Sequence, residues 1–192
     1  AVRFPIAVSM FIAGAIGYIG QAGWEPFANF MNTQAFARFA GYDLSVIPLF
    51  ILMGYFATKG GISKDLFSFA AAVMGRFKGG MAMASVLACA AFGAVSGSSV
   101  ATAATITGVA LPEMKRHGYS GRLATGVLSA GGTLGIQFPP SVVLVVYAIL
   151  TEQNISKLFA AAVVPGLIAM FGYMLAVAIY VRLVPGQAPD VT

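Results

Sequence analysis

Thirty-four consecutive residues without a charge separate Lys78 from Glu113, and the string GAVSGSS, residues 93–99, lies near their middle. As a single helix the run would extend about 50 Å, well beyond a hydrocarbon core of ~30 Å. Two complete spans would need about 40 residues and a turn, which the run does not supply. Its length therefore predicts a re-entrant hairpin: two half-helices that enter from one side and meet near the bilayer centre, with broken backbone at the tip. Arg76 and Lys78 precede it and Lys115 and Arg116 follow. Positive charge flanking membrane segments favours the cytoplasm, so both ends are placed on that side.

Composition supports a membrane setting. Hydrophobic residues make up 59% of the chain and charged residues 9%, against roughly 25% charged in soluble domains, and the mean hydropathy is +0.88. The net charge of +5 comes from eleven Lys and Arg scattered between apolar runs. They mark topology and form no nucleic-acid footprint. Cys89, the single cysteine, sits inside the uncharged run and reads as a small buried core residue. Arg3 ahead of apolar residues 4–19 faintly resembles a signal peptide, but no small-residue cleavage site follows. The segment reads as a membrane helix in a chain whose true ends lie outside these 192 residues.

A topology follows from the charges. Residues 4–20 form one span, with Gly14, Gly17 and Gly20 offering a flat packing face. Residues 21–43 are too polar to cross; Trp24, Phe27, Phe30, Phe36, Phe39 and Tyr42 suit the headgroup layer. Residues 44–58 return, slightly short for a span. Over 62–77, Ile62, Leu66, Phe69, Val73 and Phe77 recur at helical spacing, which predicts an amphipathic interfacial helix. A second uncharged run from Arg122 to Glu152 is interrupted by GGTLGIQFPPS, residues 131–141. Its glycines and the Pro139-Pro140 pair predict a helix, an unwound stretch, and a second helix starting near Pro140. Residues 152–154 read as an external loop, 163–184 as a returning span, and 185–192 as a polar loop or linker. In domain terms, 1–77 is scaffold-like, 78–151 is transport-domain-like, and 152–192 is a loop, helix and tail. The hairpin-plus-break pattern does not recur within the chain.

The two breaks carry the chemistry, because open backbone at membrane depth is costly unless it lines a cavity or binds something. Helices ending near 93–97 and 131–135 would leave carbonyls free for a hard cation such as sodium. Helices beginning at Ser98 or Ser99 and at Pro140 or Ser141 would aim positive ends at a carboxylate. Neither break holds Asp or Glu, so hydroxyls of Ser96, Ser98, Ser99, Thr102, Thr133 and Ser141 would assist the carbonyls. An intramembrane serine nucleophile with His117 as base is unfavourable, since about twenty helical residues would hold the two roughly 30 Å apart. A passive ion or anion channel, or another hairpin-type ion-coupled transporter, would use the same groups. Concentrative transport and a second inverted hairpin in the full protein would discriminate against the channel.

The strings SGSSVATAATI, LPEMKRHGYS and AGGTLGIQFPPS together resemble the large membrane subunit of the tripartite ATP-independent periplasmic (TRAP) transporters. The resemblance covers residues 93–167 best and most of the chain more loosely. It implies an all-α integral membrane protein that is one half of an inverted-repeat, elevator-type secondary transporter, multi-pass in the bacterial inner membrane. The implied partners are the C-terminal half of the same protein, a small membrane subunit, a periplasmic substrate-binding protein, the lipid bilayer and an organic acid anion. Sodium is the implied coupling ion and no enzymatic step is implied. By motif position, Ser96, Gly97, Ser98, Ser99, Gly131, Gly132, Thr133, Gly135 and Pro139 are expected at sodium, and Ser99, Thr102, Thr133, Pro140 and Ser141 at the substrate. Gln137 stands where an apolar residue is more usual in the family.

The topology makes a direct prediction. In Lys78→Cys and Lys115→Cys variants of the full-length protein, both thiols should react with an impermeant maleimide from the cytoplasmic side only; reaction from opposite faces would defeat the hairpin.

Overall fold

The computed structural model describes residues 5–39 and 45–189, all helix or connecting turn. Phe4, Tyr42, Asp43 and residues 190–192 lie outside the described residues, as do the side chains of Phe36 and Phe39. The chain divides into two compact units, 1–45 and 46–192.

The first unit holds α1 (Ile6–Ala22) and α2 (Trp24–Phe39). Gly23, at φ 90°, ends α1 and its N–H bonds the Ile19 carbonyl, so the chain turns within one residue. The Tyr18 ring packs on Phe27 and Phe30, with centroids 6.2 and 5.7 Å away. The aromatic segment read as non-spanning is therefore a helix with ring contacts back to α1.

The second unit is built around α5 (Gly80–Ser96), which packs against α3 (Val46–Lys59), α4 (Ile62–Met74), α6 (Ser99–Arg116), α7 (Gly121–Thr133) and α9 (Ile155–Leu183). Small residues make that many neighbours possible, because they let helix backbones approach closely. Ala82, Ala84, Ala88 and Cys89 are fully buried, with Phe92 the one large side chain among them. One apolar cluster joins Met83 and Val86 of α5 to Leu123 and Val127 of α7 and Val177 and Val181 of α9. A second joins Phe67 and Ala70 of α4 to Ala88 and Phe92 of α5 and Ile106 of α6.

Helices α5 and α6 form an antiparallel hairpin. The Ser96 and Thr102 hydroxyls lie 2.8 Å apart at its tip, Ser85 Oγ reaches Met114 Sδ at 3.5 Å, and the Met81 N–H donates to Tyr119 Oη at 3.2 Å at its open end. The open end gathers basic residues. Gly79 is packed against Val181, and the Ser120 N–H donates to the Gln187 carbonyl at 3.0 Å, which brings Lys78, Lys115, Arg116, Arg122 and Arg182 to one end of the unit. The arms have 17 and 18 residues, or about 26 Å each, because the turn takes only Gly97 and Ser98. They are longer than half-helices.

Beyond α7 a 3₁₀ turn (Leu134–Ile136) leads into non-helical residues 137–141 and then α8 (Val142–Leu150). The last helix, α9, has 29 residues and among the described residues is the one helix long and apolar enough to cross a bilayer. It begins at Ile155, eight residues before the expected 163, because Asn154 caps it by accepting from the Lys157 N–H at 3.1 Å. Gly166 packs against the Phe138 ring, so the break lies level with Gly166 and α9 continues about 16 Å past it to Ile155. The tail does not behave as a linker: Gln187 also accepts from the Ser120 hydroxyl, and Ala188 joins the apolar cluster.

Helix α4 turns most of its apolar stripe outward and packs Leu66 against the bundle. It ends at Met74, and its buried residues are Ser63, Phe67 and Ala70, whereas Ile62, Phe69, Val73 and Phe77 are exposed. The Ala-rich surface of α5 accepts small residues and one ring, leaving most of the apolar stripe facing outward.

Candidate functional site

The tip of the hairpin is set by two residues of different kinds. Gly97 adopts a left-handed conformation, φ 62°, and its N–H bonds the Gly93 carbonyl at 2.9 Å; a residue with Cβ pays steric strain in that region. Ser98 is extended, and its hydroxyl accepts the Ala101 N–H at 3.3 Å, which caps α6. Beneath them the Ser96 and Thr102 hydroxyls bond each other, both buried. The pair ties the last turn of α5 to the first turn of α6.

The 131–141 segment meets this tip directly, backbone against backbone. A Cβ on Gly93 would stand 2.6 Å from Gly135 Cα, and one on Gly97 would stand 2.5 Å from the Pro140 carbonyl oxygen. A Cβ on Gly135 would stand 2.5 Å from Thr102 Oγ1 and 2.7 Å from the Ser98 carbonyl oxygen. Gly132 faces Ala103 and Gly131 faces Cys89 in the same way. From the other side, Gly54 of α3 abuts the Ser96 backbone, with its absent Cβ 3.2 Å from Ser96 Cα. Sequence reading assigned glycines 131, 132 and 135 to unwound backbone. Helix α7 instead runs through Gly131 and Gly132 to Thr133, and their chief role is to let the hairpin approach.

That difference moves the free carbonyls. The Gly93 carbonyl is bonded by Gly97, and the Leu134 carbonyl by the N–H groups of Gln137 and Phe138 at 3.0 and 3.3 Å. The open backbone is therefore shorter than expected, confined to residues 97–98 and 137–141. Ser141, fully buried, caps α8 by accepting the Leu144 N–H at 3.4 Å; α8 starts at Val142 with Pro140 outside it. Because Gly97 touches Pro140 and lies close to Ser141 Cα, the N-termini of α6 and α8 are neighbours. Each carries the equivalent of roughly +0.5 charge. Two adjoining positive ends favour an anion between or beside them.

The hydroxyls singled out in the sequence divide by what they already bond. Ser96 and Thr102 bond each other, and Ser98 and Ser141 are caps. Thr133 is exposed, donates to the Ala130 carbonyl at 2.7 Å and lies 3.2 Å from Tyr173 Oη. Its side chain faces α9, in a cavity it lines with Ile136, Gln137 and Val143. Ser99 alone among the six makes no side-chain hydrogen bond to the described residues. The sequence did not single out Gly54 or Tyr173, which complete the surroundings of Ser96 and Thr133; nothing in their local sequence marks them. No group of three or more His, Cys, Asp or Glu that could hold a metal occurs among the described residues. His117 sits at the opposite end of α6, with Nδ1 2.8 Å from the Glu113 carbonyl oxygen, and cannot serve a serine at the tip.

Comparison with known proteins points to one family. The sequence model of the family described as "Tripartite ATP-independent periplasmic transporter, DctM component" matches residues 1–188. The chain is 42% identical, over 94% of its length, to the "C4-dicarboxylate TRAP transporter large permease protein DctM" of Vibrio cholerae, of which it covers 39%. It is 49% identical over 73% of its length to the protein of the same name from Pseudomonas aeruginosa, covering 32% of that protein. It is 35% identical over 90% of its length to the "Isethionate TRAP transporter permease protein DctMQ" of Oleidesulfovibrio alaskensis, covering 27%. The chain thus spans well under half of each relative.

The glycine contacts predict a paired result. Gly135→Ala, which forces a methyl group against Thr102 and Ser98, should destabilise the protein by about 1–3 kcal/mol, as overpacking does. Gly126→Ala, with nothing within 4 Å of its new methyl group and a place inside α7, should leave stability unchanged or raise it by up to about 1 kcal/mol. Thermal unfolding of both variants in detergent would measure the contrast, and equal midpoints would contradict it.

Proposed function

This chain belongs to the DctM component family of the tripartite ATP-independent periplasmic transporters, and from that membership we propose that it forms one half of a large permease that takes up an organic acid anion with sodium across the bacterial inner membrane. The relatives' names point to the substrate class, C4-dicarboxylates and isethionate being small organic anions. A periplasmic binding protein delivers the substrate, a small membrane subunit completes the assembly, and the C-terminal half supplies a second, inverted hairpin and break.

The observation that carries this reading is the adjacency of the two helix N-termini, capped by Ser98 and Ser141, at a glycine-packed junction. Uncharged amides and hydroxyls suit a site that is loaded and emptied, since no fixed charge has to be moved through the membrane when it is vacant. Depth supports the same reading. If Arg182 marks one edge of the hydrocarbon, a ~30 Å core extends about 20 residues along α9, and Gly166, level with the break, lies inside it. The hairpin is then re-entrant, its tip beyond the midplane but short of the far surface. Sodium is held by backbone carbonyls at the tip and break, by the free Ser99 hydroxyl, and by oxygens of the C-terminal half. Ion binding orders the junction, the anion then binds at the two N-termini, and the hairpin and break move as an elevator together with the helices α3 and α4 packed on α5.

The test uses the full-length permease in proteoliposomes with its small subunit and binding protein, and a C4-dicarboxylate as trial substrate. Uptake should be concentrative and require an inward sodium gradient. Ser99→Ala should raise the sodium concentration for half-maximal uptake about fivefold, the equivalent of about 1 kcal/mol for one lost ligand. Uptake without a sodium gradient, or an unchanged half-maximal sodium concentration in Ser99→Ala, would refute the coupling; purely equilibrative flux would favour a channel.

A further inference from the structure

Away from the junction, a groove of about 310 Å³ runs between α7 and α9. The two helices are antiparallel along it. Ser120 bonds Gln187 near one end and Thr133 meets Tyr173 near the other, and between them Arg122, Leu123, Gly126, Val127 and Ala130 of α7 line the groove with Tyr173, Ala176, Val177 and Tyr180 of α9. From Arg122 to Ala130 the groove is about 12 Å long. Its walls are apolar and its floor is Val86 of α5. The absence of a side chain at Gly126, with open space where its Cβ would be, keeps it unfilled.

The groove is polar at one end only. Arg122 stands there exposed and without an ion pair among the described residues, at the same end as Lys115, Arg116 and Arg182. The charge there is complementary to a phosphate, and basic sites between helices at the cytoplasmic surface recognise anionic lipid headgroups. Tyr180 lines the groove with Arg122 and brings a hydroxyl to it, in keeping with the interfacial position tyrosine favours. The deep end, at Ala130 and Tyr173, has the Tyr173 hydroxyl already engaged with Thr133. An occupant must therefore be anionic at one end and apolar along the remaining length.

We propose that this groove is a binding site for an anionic phospholipid of the cytoplasmic leaflet, its phosphate on Arg122 and Tyr180 and one acyl chain lying between α7 and α9 over Gly126. The site does not depend on sodium or substrate. It needs only that the chain is embedded in a bilayer with its basic end at the surface.

The test uses the full-length permease in nanodiscs containing photoreactive phosphatidylglycerol or phosphatidylcholine with the same diazirine-bearing chain, followed by mass spectrometry of labelled peptides. Phosphatidylglycerol should label the α7 and α9 segments lining the groove several-fold more than phosphatidylcholine. Arg122→Gln should abolish that preference while leaving labelling of other helices unchanged, and Gly126→Leu, which fills open space, should reduce labelling by both lipids. Equal labelling by the two lipids in the unaltered protein, or a preference that survives Arg122→Gln, would overturn the proposal. Lack of label in both segments, as expected if the C-terminal half covers the groove, would overturn it too.

Discussion

Contact between the hairpin tip and the interrupted helix, made through absent side chains, is what the rest of the second unit depends on. Gly93 against Gly135 and Gly97 against the Pro140 carbonyl leave no space for a methyl group between two main chains. Each segment alone would expose backbone groups whose burial without partners costs several kcal/mol in an apolar medium. Each segment satisfies part of that requirement internally, the hairpin through the Ser98 cap and the buried Ser96–Thr102 pair and the break through the Ser141 cap, and the contact between them closes the remaining backbone off from the surroundings. The contact also explains why α5 sits at the centre of the unit: a helix whose buried face is largely alanine can be surrounded on several sides at once.

The junction has a chemical consequence. Packing the tip onto residues 137–141 brings two helix N-termini together in segments that hold no carboxylate or basic residue, so the field of the two segments themselves comes from peptide dipoles. Such a field is permanent and geometrically fixed, and it is most effective where water is scarce. Among the described residues, the Ser99 hydroxyl is left without a side-chain hydrogen bond. The basic residues that orient the unit stand at the other end of the hairpin, about 26 Å away along its arms, and their separation from the site keeps topology and chemistry independent.

Features set by local chemistry were the legible ones. Charges at Lys78 and Glu113 bound the hairpin, the serines at 98 and 141 begin the helices after each break, and the Pro139-Pro140 pair keeps residues 137–141 non-helical. Features set by a neighbour were not. Glycine suits both an unwound chain and a close helix crossing, and only the position of the hairpin tells that Gly131 and Gly132 serve the second. The stripe of α4 was visible as periodicity, yet which face turns inward depended on the small residues of α5. The orientation of Thr133 depended on Tyr173, forty residues later. Helix α9 contains the apolar run 163–183 and extends it back to Ile155, where the Asn154 cap rather than hydropathy sets its start.

The central claim is that the tip and the break act as a single sodium-responsive unit. Hydrogen–deuterium exchange of the full-length permease, with sodium replaced by potassium as the control, tests it most directly. Residues 93–102 and 131–144 should lose exchange together when sodium is added, with one shared half-saturation concentration. Protection of only one segment, or equal exchange in sodium and potassium, would contradict the account.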